Sequence, residues 1–128
     1  MQFHHAGIAT TDSDALASLF STLFETRVVH EEMFGDLYVQ FLDVGDGYFE
    51  LLEPTDEGTV QRYLEKNGPG IHHLAMATEN MPRTLQRVRD QGVELIDEEP
   101  RPGAWGHEVA FCHPASTGGI LVEFVSEH

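Results

Sequence analysis

The stretch that decides the fold is FHHAGIAT at residues 3–10, which returns as IHHLAMAT at residues 71–78. His5 in the first copy corresponds to His73 in the second. Each copy is followed by a helix-like segment and, farther along, by an apolar strand that contains one glutamate. These glutamates are Glu50, within YFELL at 48–52, and Glu123, within LVEFV at 121–125. A repeat of this length that is used only twice indicates a duplicated half-domain rather than a solenoid array.

Both copies alternate as a β-strand does, with successive side chains on opposite faces. On its own face His5 is followed by Gly7 and Ala9, and His73 by Ala75 and Ala77, whereas the opposite faces carry bulkier residues such as Ile8 and Met76. We expect the bulkier faces to pack in the core under helices. The small faces would then line a cleft that contains both imidazoles.

The remaining patterns give each half the order β-α-β-β-β. Residues 11–14 (TDSD) can cap a helix, and Pro82 suits the first turn of its counterpart. A short helix at about 58–67 is expected to connect halves of about 1–56 and 69–128. The other strands are predicted at 26–31, 37–43, 47–53, 93–96, 108–112 and 120–125. The sequence therefore predicts one α+β domain over residues 1–128, in which two tandem βαβββ modules form a curved mixed sheet around a site.

The composition is strongly acidic. Of the 128 residues, 22 are acidic and 7 are basic, which gives a net charge of −15, and Lys66 is the only lysine. A field of this sign disfavours nucleic acid and anionic membrane as partners. We interpret it as the carboxylate-rich surface of a salt-adapted, halophilic protein. The lone Cys112, with no signal-like or membrane-spanning apolar run, favours the cytoplasm.

The repeated histidines and glutamates point to a metal ion. Glu50 and Glu123 each lie within an otherwise apolar strand, and burial of an ionised carboxylate without a partner is very unfavourable. Imidazole and carboxylate are suitable ligands for a borderline divalent ion. One His/Glu pair in each half is most simply explained if both pairs share one cation.

The chain resembles the vicinal oxygen chelate superfamily, which includes glyoxalase-like and bleomycin-resistance-like proteins, and within it the methylmalonyl-CoA epimerase family. The matching motifs cover nearly the whole chain: HHAGIAT at 4–10, FELLEP at 49–54, GPGIHHLAMAT at 68–78, EEPRPGAWG at 98–106, AFCHP at 110–114 and GGILVEF at 118–124. The resemblance implies a glyoxalase-like fold and the metal ligands His5, Glu50, His73 and Glu123. It also implies one divalent ion, with cobalt as the first choice and zinc, nickel, manganese and magnesium as alternatives.

The activity implied by this resemblance is interconversion of (R)- and (S)-methylmalonyl-CoA, an acyl-CoA thioester, by a homodimer. Glu123 would be both a ligand and the base for the α-proton. The family's second base is a glutamate before the third strand, but the shorter EEMFGDL at 31–37 has none at the equivalent position, near Phe34. Glu31, Glu32 and Asp36 are the alternatives for that role.

Two other functions stay open at this point. One is a glyoxalase I-type lactoylglutathione lyase or another enzyme of the superfamily, such as an oxygenase. The other is a metal-free small-molecule-binding protein, although such proteins typically lack these ligands. Fold alone does not choose among them.

The sequence also suggests roles for one arginine and for the remaining histidines. Arg101 is the expected contact for an anionic substrate, because bases are scarce. His4 is expected in the core or beside the metal ligands, whereas His30, His107 and His128 are expected to be solvated.

The acidic surface generates a prediction about salt. The melting temperature should rise as KCl is increased from low to molar concentration, because screening relieves repulsion between carboxylates. Differential scanning calorimetry across a KCl series measures this directly. A melting temperature that stays flat or falls would contradict the halophilic interpretation.

Overall fold

The computed structural model describes residues 1–127, and its elements form two βαβββ modules joined by a helix. This confirms the predicted α+β class. The first module contains β1 (Gln2–Ala9), α1 (Ser13–Leu23), β2 (Val28–Phe34), β3 (Leu37–Asp43) and β4 (Tyr48–Pro54), and α2 (Thr59–Asn67) follows it. The second contains β5 (Gly70–Ala77), α3 (Met81–Asp90), β6 (Arg101–Pro102), β7 (Glu108–Cys112) and β8 (Val122–Ser126).

Each module has its own mixed four-stranded arrangement. In the first module the order is β2-β3-β4-β1, with β1 parallel to β4 and the other neighbours antiparallel. In the second the order is β6-β7-β8-β5, with β5 parallel to β8. The contacts between residues divide the chain into two compact units. One contains residues 5–72, and the other contains residues 1–4 together with the residues from His73 onward.

The two longest helices begin at side-chain caps, of which the sequence analysis predicts the first, within residues 11–14. The carboxylate of Asp12 accepts a hydrogen bond from the Ala15 amide at 3.1 Å, and the Asn80 side chain accepts one from the Arg83 amide at the same distance. Each bond satisfies one of the amides that a helix leaves open at its first turn. Pro82 lies in the first turn of α3, where its missing N–H costs nothing.

The first core lies between α1 and its sheet, where Leu42 and Leu51 are fully buried against Ala17. Ile8 packs against this cluster, which confirms its predicted place under the helix. The prediction for Met76 is wrong, because this side chain is only half-buried and its neighbour on the same face, Leu74, is exposed.

The second core explains the error at Met76. Helix α3 places its buried face, including Leu85 and Val88, over Ala110 and Cys112 of β7 rather than over β5. The first residues of β5 therefore stay uncovered on that side. The buried thiol of Cys112 has its pKa raised by desolvation, so the reactive thiolate is disfavoured there.

The predicted strand at 93–96 does not form. The segment makes a single isolated bridge, between Leu95 and Cys112. Beyond it, the carboxylate of Asp97 accepts a hydrogen bond from the Phe111 amide at 2.9 Å. The Asp97 side chain thus accepts the bond that a strand carbonyl would accept, and the pairing of this segment with β7 ends there. The two-residue β6 pairs with β7 instead.

Among the described residues, no helix is long and apolar enough to cross a bilayer. The longest, α1, has 11 residues, whereas a spanning helix needs about 20.

The first core yields a stability prediction. Leu51→Ala should lower the free energy of unfolding by about 2–5 kcal/mol, because a fully buried leucine leaves a cavity when it is truncated. Leu23→Ala is the matched control, since Leu23 is exposed and its loss should cost no more than about 0.5 kcal/mol. Urea denaturation of both variants measures the difference. Equal costs would show that this core is wrongly assigned.

Candidate metal centre

The first module contains a buried histidine–glutamate pair. His5 on β1 and Glu50 on β4 are only 3% and 6% exposed, and His5 Nε2 lies 3.1 Å from Glu50 Oε1. The parallel pairing of β1 with β4 places Gly7 opposite Glu50. The glutamate is thus level with the residue two positions after the histidine, on the same face of the sheet.

The second module repeats this arrangement. His73 on β5 and Glu123 on β8 are each 5% exposed, with His73 Nε2 and Glu123 Oε1 3.0 Å apart. Ala75, again two residues after the histidine, is opposite Glu123. The sequence repeat is therefore also a repeat of register, burial and distance.

An aromatic ring covers each pair. Phe41 is the cross-strand neighbour of Glu50, and its ring packs edge-on against His5 with the centroids 5.7 Å apart. Phe111 is the neighbour of Glu123 and packs in the same way against His73 at 5.6 Å. Neither phenylalanine was predicted from the sequence as part of the site. Their position opposite the glutamates could be found only after the antiparallel strands were paired.

The chemistry of these pairs fits a divalent ion. Each offers an imidazole nitrogen and a carboxylate oxygen from positions that are almost fully buried. A buried carboxylate needs a cationic or hydrogen-bonding partner, and these two donor types suit borderline divalent ions. The donor atoms of each pair therefore fit such an ion.

The three candidates for the second base lie in different surroundings. Tyr38 donates a hydrogen bond to the Glu31 carboxylate at 2.8 Å, and this bond raises the pKa of Tyr38 to about 12. Gln40 also donates to Glu31, at 3.3 Å, and reaches Asp14 on α1 at 3.1 Å. Glu31 therefore faces the helix side of the sheet.

Glu32 lies on the opposite side. Its Oε1 is 2.8 Å from His30 Nε2, and the His30 ring packs on Phe41, the same ring that contacts His5. Among the three candidates, Glu32 thus shares the face of the first His/Glu pair.

Asp36 is held elsewhere, in the turn between β2 and β3. Its carbonyl accepts a hydrogen bond from the Thr55 amide at 2.8 Å. Its carboxylate lies so close to Gly58 that an added Cβ there would be only 1.9 Å from Oδ2. The turn is therefore packed against the segment that leads into α2.

Arg101, the expected anion contact, lies on the exposed edge strand of the second module. Its Nε is 2.9 Å from Asp97 Oδ1, and its guanidinium carbon is 5.4 Å from the centre of the Phe111 ring. Arg101 is therefore beside the ring that covers His73, with its charge partly balanced by Asp97.

Two outer histidines are less exposed than expected, and the first is His30, which is half-buried beside Glu32. His4 is buried, as expected, but His107 is half-buried beside it rather than solvated. The sequence gives no local signal for this contact, because it depends on where the loop before β7 packs. His128 lies outside the described residues.

Comparison with known proteins identifies the family of this chain. Residues 4–111 match the glyoxalase/bleomycin resistance protein/dioxygenase superfamily. The chain is 37% identical to the uncharacterised protein YqjC of Bacillus subtilis, over 93% of this chain and 87% of that protein. It is 32% identical to the ethylmalonyl-CoA/methylmalonyl-CoA epimerase of Cereibacter sphaeroides, over 95% of both chains.

Among solved structures, a variant of the Streptomyces coelicolor methylmalonyl-CoA epimerase in complex with 2-nitronate-propionyl-CoA superimposes with a TM-score of 0.91. The two are 34% identical, and the match covers 98% of this chain and 94% of that one. The chain therefore belongs to the glyoxalase/bleomycin resistance protein/dioxygenase superfamily, and it is an isomerase of the methylmalonyl-CoA epimerase kind.

Proposed function

We propose that this isomerase is a metal-dependent epimerase that interconverts (R)- and (S)-methylmalonyl-CoA. The observation that carries the proposal is the duplicated, buried His/Glu pair, with 3.1 Å between the paired atoms in one module and 3.0 Å in the other. Its relatives include epimerases that are named for this substrate.

His5, Glu50, His73 and Glu123 would together bind one divalent ion. Two nitrogen and two oxygen donors suit cobalt, nickel or zinc, and family resemblance makes cobalt the first choice. When bound, such an ion supplies a Lewis acid that stabilises negative charge developing on the substrate's thioester oxygen.

The protein's own task is to move a proton at the substrate's α-carbon, which lies between a thioester and a carboxylate. Glu123 is the residue we assign to this step, because its carboxylate is buried and fixed beside His73. Removal of the proton leaves a planar enolate. Phe111 and Phe41, which cover the two pairs, would help to keep water from that intermediate.

Inversion also requires an acid or base on the other face of the planar intermediate. We assign this role to Glu32, since it is the one candidate on the face of Phe41 and His5. His30, 2.8 Å from the Glu32 carboxylate, would orient it and pass on its proton. The Glu31 carboxylate instead accepts hydrogen bonds from Tyr38 and Gln40 on the opposite side of the sheet.

The Glu123 assignment is tested by Glu123→Gln, which keeps an oxygen for the metal but removes the base. Exchange of the α-proton should fall by at least about 10²-fold while metal content is retained. Proton NMR with methylmalonyl-CoA in D₂O, together with metal analysis, measures both quantities. The exposed Glu79→Gln is the control, and Glu50→Gln should lose less than Glu123→Gln because it alters a ligand and leaves the base. Wild-type epimerisation by Glu123→Gln would disprove the catalytic assignment.

The Glu32 assignment is tested with single enantiomers in the same assay. Glu32→Gln should stop epimerisation, yet still exchange the α-proton of the enantiomer whose proton faces Glu123. Glu31→Gln is a closely matched control, because the adjacent carboxylate faces the helix side and its loss should leave epimerisation unchanged. If Glu31→Gln abolished epimerisation and Glu32→Gln did not, the two roles would have to be exchanged.

A further inference from the structure

A second group of metal-ligating side chains lies apart from the His/Glu pairs. It consists of His4, His107 and Glu127, and all three belong to the compact unit that contains the second module. Consecutive residues of a strand point to opposite faces, so the His4 imidazole is directed away from that of its neighbour His5. The reaction assigned above uses none of the three.

The geometry of this group suits one shared ion. His4 Nε2 lies 3.7 Å from Glu127 Oε2, and one ligand atom from each residue lies within 4.8 Å of the others. In a tetrahedral zinc site, with bonds of about 2.0–2.2 Å, ligand atoms are about 3.3–3.6 Å apart. Movements of about 1 Å would close the group, and Glu127, whose side chain is 56% exposed, can adjust its rotamer.

The two imidazoles are held in place by their surroundings. The His4 side chain is 2% exposed, and its ring meets that of His107 edge-on with 5.1 Å between centroids. Trp105 stacks on the His107 ring, with 5.7 Å between the two ring centroids. Two of the three donors are therefore preorganised, so the entropic cost of ordering them on ion binding would be small.

We propose that His4, His107 and Glu127 form a second metal site, specific for a borderline divalent transition ion such as Zn²⁺. Two imidazoles and one carboxylate favour zinc, nickel or copper over magnesium and calcium, which prefer all-oxygen ligands. Three protein donors leave the fourth position to water or another ligand.

Access and charge are consistent with this assignment. A cleft of about 460 Å³, lined by residues that include Gln2, Glu79 and Glu127, opens beside the group and gives an ion a path from solvent. The net charge of −15 also raises the local concentration of cations around the protein.

The test is a Zn²⁺ titration of the metal-free protein in competition with a chromophoric chelator, with stoichiometry checked by equilibrium dialysis and metal analysis. Wild-type protein should bind one more zinc ion per chain than His107→Ala. Glu127→Ala should weaken that additional site by more than the roughly 10–100-fold that loss of an outer partner costs. The controls are His113→Asn and Glu94→Ala, which alter exposed residues of the same unit and should keep the wild-type stoichiometry.

A ligand role is separated from a structural role by His107→Cys. A thiolate in place of the imidazole should preserve the site and give a thiolate-to-metal absorption band when Co²⁺ is bound. Equal zinc stoichiometry in wild-type protein and His107→Ala would overturn the proposal, and so would an absence of the band in a folded His107→Cys protein.

The result is independent of the proposed catalytic metal. If the His/Glu pairs bind an ion, wild-type protein takes up two zinc ions and His107→Ala takes up one. If they do not, the numbers are one and none. The difference between the two proteins tests the second site alone.

Discussion

Each module buries a carboxylate on one of its inner strands, and the fold has to compensate this burial. Moving an ionised carboxylate out of water costs several kcal/mol unless a partner compensates. In both modules that partner is an imidazole about 3 Å away, under an aromatic ring from the neighbouring strand. The same compensation, in the same register, occurs in both modules.

The βαβββ order is what allows this pairing. His5 and Glu50 are far apart in sequence, and they meet because β1 lies parallel to β4. A parallel pair needs a long crossover connection, which α1 and the β2–β3 hairpin supply. The same path joins β5 to β8 and brings His73 to Glu123. Each module therefore assembles one buried His/Glu pair by itself.

Much of the fold and of the His/Glu pairing could be predicted from the sequence, because the duplication makes each local pattern occur twice. The alternation of FHHAGIAT, the capping stretch at 11–14, Pro82 and a glutamate within each apolar strand are local patterns, and they predict the elements well. The failures have tertiary causes. Asp97 replaces a strand carbonyl in the ladder with Phe111, α3 packs away from Met76, and the loop before β7 brings His107 to His4. None of these contacts has a periodic signature. The choice among Glu31, Glu32 and Asp36 likewise requires knowing which face of the sheet each one occupies.

We propose that the two His/Glu pairs act as one ligand set for one ion. Anomalous diffraction from crystals of the His107→Ala protein loaded with Co²⁺ is the decisive test, because that variant removes the second proposed site. We expect a single anomalous peak per chain, within bonding distance of His5, Glu50, His73 and Glu123. Two separate peaks, one at each pair, or no peak at either pair, would contradict the account.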